Sequence, residues 1–143
     1  MDKWKQEATT RFPEFDETAR DDWGTPYLCW FDLWTALRKA YQAPRNEDLI
    51  RRIYQFAEWC CEQPRGKTAD DDLPTCVMVC FYEHIPTDAN TLADMPRWFK
   101  WSDVVLMKDI FTYHAGEEGF RNIENTFVRA RKARKPQAGK GKK

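Results

Sequence analysis

Pro44 and Pro64 bracket a segment whose apolar pattern fits only one regular conformation. Between them Leu49, Ile53, Phe56, Ala57 and Cys60 recur at intervals of three and four, the spacing that lines one face of a helix. Asn46 stands at the N-cap position, and Glu47–Arg51 and Asp48–Arg52 place acid before base one turn apart on the opposite face. Pro64 then stops the helix, because its ring lacks an N–H and clashes with the preceding turn. The segment before has the same grammar. Thr25-Pro26 reads as an N-cap and first-turn proline, followed by Trp30, Leu33, Trp34, Leu37 and Tyr41 at helical spacing up to Pro44. Two amphipathic helices in succession require a third element to complete a core.

The third element is the run LPTCVMVCFYEHIP, residues 73–86. Alternation of Val77, Val79 and Phe81 would suit a buried strand. Both alternating faces are apolar, however, and Asp70-Asp71-Asp72 can cap a helix and favour its positive end, with Pro86 as a stop. A helix apolar on most sides belongs at the centre of a bundle. Ser102 and Asp103 open a further helix through Val105, Leu106, Ile110 and Phe111 to about Gly116. Glu117 and Glu118 begin a last one carrying Phe120, Ile123 and Phe127, and a short helix near residues 2–11 precedes everything. No hairpin signal appears. The pattern predicts an all-α fold, a single-domain helical bundle or an array of antiparallel helix pairs with HEAT-like packing, over residues 1–128. No internal repeat of solenoid strength is present.

Core material is ample: 42% of the 143 residues are hydrophobic and 15% aromatic, which excludes general disorder. No stretch is long and apolar enough for a membrane span, and the N-terminus shows no signal-peptide apolar region, so the expected location is the cytoplasm. Cys29, Cys60, Cys61, Cys76 and Cys80 fit that setting as small apolar thiols, an odd number without metal-ligand spacing. The net charge of zero hides an asymmetry. Residues 129–143 hold eight Lys and Arg and no acid, leaving 15 basic and 23 acidic side chains, a net of −8, in residues 1–128. Such a tail cannot supply a core and is expected to be largely disordered, from about Lys135 onward.

Glu83, His84 and His114 are the candidates for acid–base chemistry. Both histidines fall at the ends of expected helices, where the dipole favours a cationic ring without any catalytic role. If their helices pack side by side, they could converge with Glu83 or Glu117. The consecutive aspartates could hold a hard cation but do not follow an EF-hand pattern. The segment PRWFKW interleaves Arg97 and Lys100 with Trp98, Phe99 and Trp101. Arg97, Trp98 and Trp101 are therefore candidates for an anionic ligand or a partner, set against plain packing between helices. Nothing in the spacing asks for a metal or a cofactor.

PRNEDLIRRIYQFAEWCCEQ (residues 44–63), DDDLPTCVMVCFYEHIP, DMPRWF and YHAGEEGF together resemble a family of small, uncharacterised bacterial all-helical proteins. The resemblance covers about Phe12 to Phe127 and implies a bacterial cytoplasmic domain. It carries no activity over, and the basic tail falls outside it.

Two functional readings follow. The first is a non-catalytic interaction domain whose acidic surface covers a basic protein partner, in the manner of small immunity or antitoxin proteins. The second is a small enzyme or ligand-binding protein using His84, His114 and Glu83 in a pocket between helices. Separately, the 129–143 tail is suited to weak, non-specific nucleic-acid contact, and no membrane partner is expected.

Overall fold

The computed structural model describes residues 2–134, whose regular elements are all helices and 3₁₀ turns, with no strand among them. The elements are α1 (Lys3–Arg11), α2 (Glu17–Asp21), α3 (Pro26–Ala40), α4 (Glu47–Cys61), α5 (Leu73–Cys80), α6 (Ala89–Ala93), α7 (Met95–Trp98), α8 (Trp101–Leu106) and α9 (Lys108–Arg134), with 3₁₀ turns at Ala69–Asp71 and Tyr82–Thr87. They group into two compact units, the first ending at His84 and the second beginning at Ile85.

In the first unit α3, α4 and α5 pack on one another and α1 packs on α4. The two helices flanking Pro44 form as their punctuation requires. Pro26 occupies the first turn of α3, and the Asn46 carboxamide oxygen accepts from the Leu49 N–H at 3.1 Å. Asp48 pairs with Arg52 at 2.8 Å as expected, but it also takes Arg51, and Glu47 turns back to Arg45. The apolar stripes meet: Trp30, Leu33 and Leu37 of α3 and Ile50, Ile53, Phe56 and Cys60 of α4 are fully or almost fully buried, with Cys76 and Val77 of α5.

α5 departs from expectation. A single helix over residues 73–86 would carry Phe81 onward, but the helix ends at Cys80. Phe81 takes φ −126°, ψ −68°, and its ring stacks on Trp30 at 5.1 Å. The chain continues as a 3₁₀ turn that contains Pro86 instead of stopping before it.

The second unit is built on α9, against which α6, α7 and α8 pack. Met95, Val104, Phe111 and Ile123 are fully buried there, and the Thr91 hydroxyl donates to the Ile85 carbonyl at 2.7 Å. The helix expected over residues 102–116 divides at Met107. As a result Val104 faces the core, while Val105 and Leu106 are exposed at 52% and 85%. The helix expected to begin after Gly116 runs on to Arg134, so the first six residues of the basic tail are helical; residues 135–143 lie outside the described residues.

Gly116 interrupts α9 with φ 70°, ψ −169°, a region open to glycine almost alone. A Cβ there would meet nothing within 4 Å, so the penalty of Gly116→Ala is conformational and not steric. The variant should lose about 1–3 kcal/mol in urea unfolding. Gly24→Ala, also in open space but without positive φ, should stay within about 0.5 kcal/mol of the parent. Equal losses for the two would remove backbone conformation as the cause.

Candidate functional site

Glu83 and His84 lie in the 3₁₀ turn that ends the first unit. The His84 N–H donates to the Phe81 carbonyl at 2.9 Å, so this histidine sits inside a 3₁₀ turn and not at the C-terminus of an α-helix, which corrects the expectation that a helix dipole holds it. Its half-buried ring lies 6.0 Å from Trp34, and Glu83 is buried. His114 belongs to the second unit. It is exposed in the last turn before Gly116, with its ring edge-on to Tyr113 at 4.9 Å.

The aspartates before α5 shape a loop. Asp71 Oδ1 accepts from the Thr68 N–H at 2.8 Å in a capping box around the 3₁₀ turn. Asp72 stands at the N-cap position of α5, but its carboxylate bonds the Thr75 hydroxyl, the Gly66 N–H (3.1 Å) and Arg65 Nε (2.9 Å). The Thr75 hydroxyl chiefly, then the Gly66 N–H and Arg65, hold this carboxyl below the usual range. Among the described residues, no group of three or more His, Cys, Asp or Glu side chains is arranged to hold a metal ion. The thiols of Cys29, Cys60, Cys76 and Cys80 are all pushed up by burial, which favours the protonated, unreactive form.

The aromatic–cationic segment at residues 96–101 divides in two. Arg97 pairs with Asp94 at 2.7 Å and lies 4.6 Å over the Trp98 ring, while Trp98 Nε1 donates to the same carboxylate at 3.1 Å. These two candidates are thus drawn into one local cluster. Trp101 goes elsewhere: it opens α8 and sets its ring 5.7 Å from Phe120 and 5.4 Å from Phe127 of α9. Beside it a cleft of about 370 Å³ is lined by Pro96, Phe99, Lys100, Trp101, Phe127, Arg131 and Arg134. An adjoining hollow adds Glu124 and Val128. From sequence, Phe127 reads only as a core position of the last helix, and Arg131 and Arg134 only as part of the basic tail, not as members of a cleft with Trp101. Their signal was the i, i+4, i+7 spacing, obscured because the run of tail charges reads first as solvated chain.

The first unit has surface features of its own. α3 leaves Leu28 and Phe31 exposed at 43% and 56%, and α5, packed against α3, leaves Val79 exposed at 39%. At the same end the Tyr27 hydroxyl donates to the Ala69 carbonyl at 3.3 Å, which brings the turn carrying Asp70 and Asp71 to the start of α3. Burial first, then the neighbouring Cys76, Cys80 and Asp70, push the Tyr27 hydroxyl up to about 12.

No curated protein and no solved structure gives a significant match to this chain. A family model does match, over residues 5–100, taking in nearly all of the first unit and the second as far as Lys100, while the YHAGEEGF motif at residues 113–120 lies beyond it. Because that match spans well over half of the sequence, the chain belongs to the family described as a domain of unknown function, DUF7674.

Proposed function

We propose that the protein is a non-catalytic cytoplasmic interaction domain whose first unit covers a basic protein partner, as immunity and antitoxin proteins do. The observation that carries the reading is the exposed apolar set Leu28 and Phe31 on α3, with Val79 on the adjoining α5, near the carboxylates of Asp70 and Asp71. An apolar centre beside charge is the usual anatomy of a protein-binding patch. Its sign follows from composition, since residues 1–84 hold 16 acidic and 11 basic side chains, a net of −5. That field speeds encounter with a cationic surface and disfavours an acidic one. The enzymatic alternative rests on Glu83, which is buried, His84, half-buried against Trp34, and His114, exposed beside Tyr113.

The test is capture of a partner at low ionic strength by the tagged chain, followed by identification of that partner's charge. Leu28→Asp combined with Phe31→Asp should weaken capture about tenfold or more. Both positions are exposed, so the thermal melt should hardly move. A captured partner that is acidic, or one retained by the double variant, would refute the reading.

A further inference from the structure

Three cations and three aromatic rings converge at one cleft of the second unit: Lys100, Arg131 and Arg134 with Phe99, Trp101 and Phe127. None of the three cationic heads forms an ion pair among the described residues. Arg97, close by in sequence, is neutralised by Asp94, and Arg52 in the first unit is held by Asp48 and Glu14. Like charges gathered at a concave surface repel one another, and aromatic walls weaken the screening that water would give. Glu124, in the adjoining hollow, leaves the lining with a positive excess. The acidity of the whole chain does not oppose an anion here. Residues 85–134 carry eight basic and seven acidic side chains, and the acid excess belongs to the first unit.

The aromatic surface narrows the class of anion. Trp101 and Phe99 are half-buried, so ring surface remains open to the cleft. A guanidinium fork matches the oxygens of a phosphate, and a flat π-face accepts a nucleobase whatever its identity. A cavity of about 370 Å³ is within the range of small-ligand pockets. We propose that this cleft binds a nucleotide, its phosphate on Lys100, Arg131 and Arg134 and its base against the Trp101 side. The ligand is either a free nucleotide or an unpaired residue of a single strand. The cleft is lined by residues of the second unit alone and does not depend on the partner reading of the first.

The probe is a short fluorescein-labelled oligouridylate on the full chain at low salt, competed with UMP and with inorganic phosphate. Lys100→Gln, Arg131→Gln and Arg134→Gln together should raise the Kd about a hundredfold. Trp101→Leu, which keeps apolar volume against Phe120 and Phe127 but removes the ring, should raise it about tenfold. Neutralising Lys135, Lys140, Lys142 and Lys143 to Gln should leave competition by UMP unchanged, which separates the cleft from non-specific attraction to the tail. Competition by UMP assigns the free nucleotide. A strand that binds and is lost in the triple variant, yet is not displaced by UMP, assigns the single strand. Absence of binding by either probe, binding indifferent to the triple variant, loss on tail neutralisation instead, or phosphate competing as well as UMP would each overturn the proposal.

Discussion

Trp30→Ala is expected to remove about 3–5 kcal/mol of stability, the range for deleting a large aromatic side chain from a close-packed interior. Trp30 is fully buried, and its ring lies between Phe56 at 5.4 Å and Phe81 at 5.1 Å, with interplanar angles of 22° and 16°. Phe56 in turn stacks on Trp59 at 5.8 Å, so one column of rings joins α3, α4 and the residue that ends α5. Removing the middle member leaves two rings facing a void that neither backbone can close. Domains of this size have about 5–15 kcal/mol in total, so the variant should sit near the edge of folding. The measurement is the urea midpoint, followed by far-ultraviolet and near-ultraviolet circular dichroism. Trp30→Phe, which keeps a ring in the column, should lose clearly less. A loss below about 1 kcal/mol for the alanine variant would mean that the column is not the centre of the first unit.

The second large effect is chemical. Burial first, and then the neighbouring Cys80, push the Cys76 thiol up to about 12; burial, and then Glu83, push Cys80 up to about 11. Against the ordinary thiol value of 9.0, the reactive thiolate of folded Cys76 is rarer by roughly a thousandfold at neutral pH. Labelling of Cys76 and Cys80 by a thiol reagent should therefore be slow in the folded protein and fast once urea unfolds it. The same shifts set a pH dependence. With the folded pKa above the unfolded one, the thiols' contribution is complete below about 9. It is lost as pH rises from there towards about 12, because the unfolded chain ionises first. Unfolding midpoints should thus fall between pH ~8 and pH ~10, and Cys76→Ala should lessen that fall even though it lowers stability overall. Rapid labelling of Cys76 in the folded state would contradict the burial argument.

How far the chain could be read without its fold is clearest at α4 and α5. α4 is capped by Asn46, is striped by Leu49, Ile53 and Phe56, and ends before Pro64; each signal acts within a turn or two, so local chemistry suffices. α5 carries an apolar run with a proline at each end, yet it stops at Cys80, because Phe81 gains more from the ring column than the local helix would gain from one further turn. The division at Met107 has the same character. Spacing alone did not show that Val104, and not Val105 or Leu106, would face α9. In the tail, Arg, Ala and Lys are strong helix formers, and α9 extends to Arg134, short of the point near Lys135 from which composition suggests loose chain.

The candidate cleft shows the same division. Trp101 and its cationic neighbours were legible as a motif, since adjacency in sequence is enough to see it. That Trp101 would face Phe127, Arg131 and Arg134, while Arg97 and Trp98 closed on Asp94, was decided by the packing of α8 on α9. The sequence by itself determined the all-helical class, the placement of α3 and α4 and the uneven charge, because caps, spacing and composition are local quantities. Only the tertiary structure decided where the apolar runs stop and which cations share a wall with which rings. Those outcomes rest on contacts between distant residues, and burial of a single aromatic side chain outweighs the few tenths of a kcal/mol by which local propensities differ.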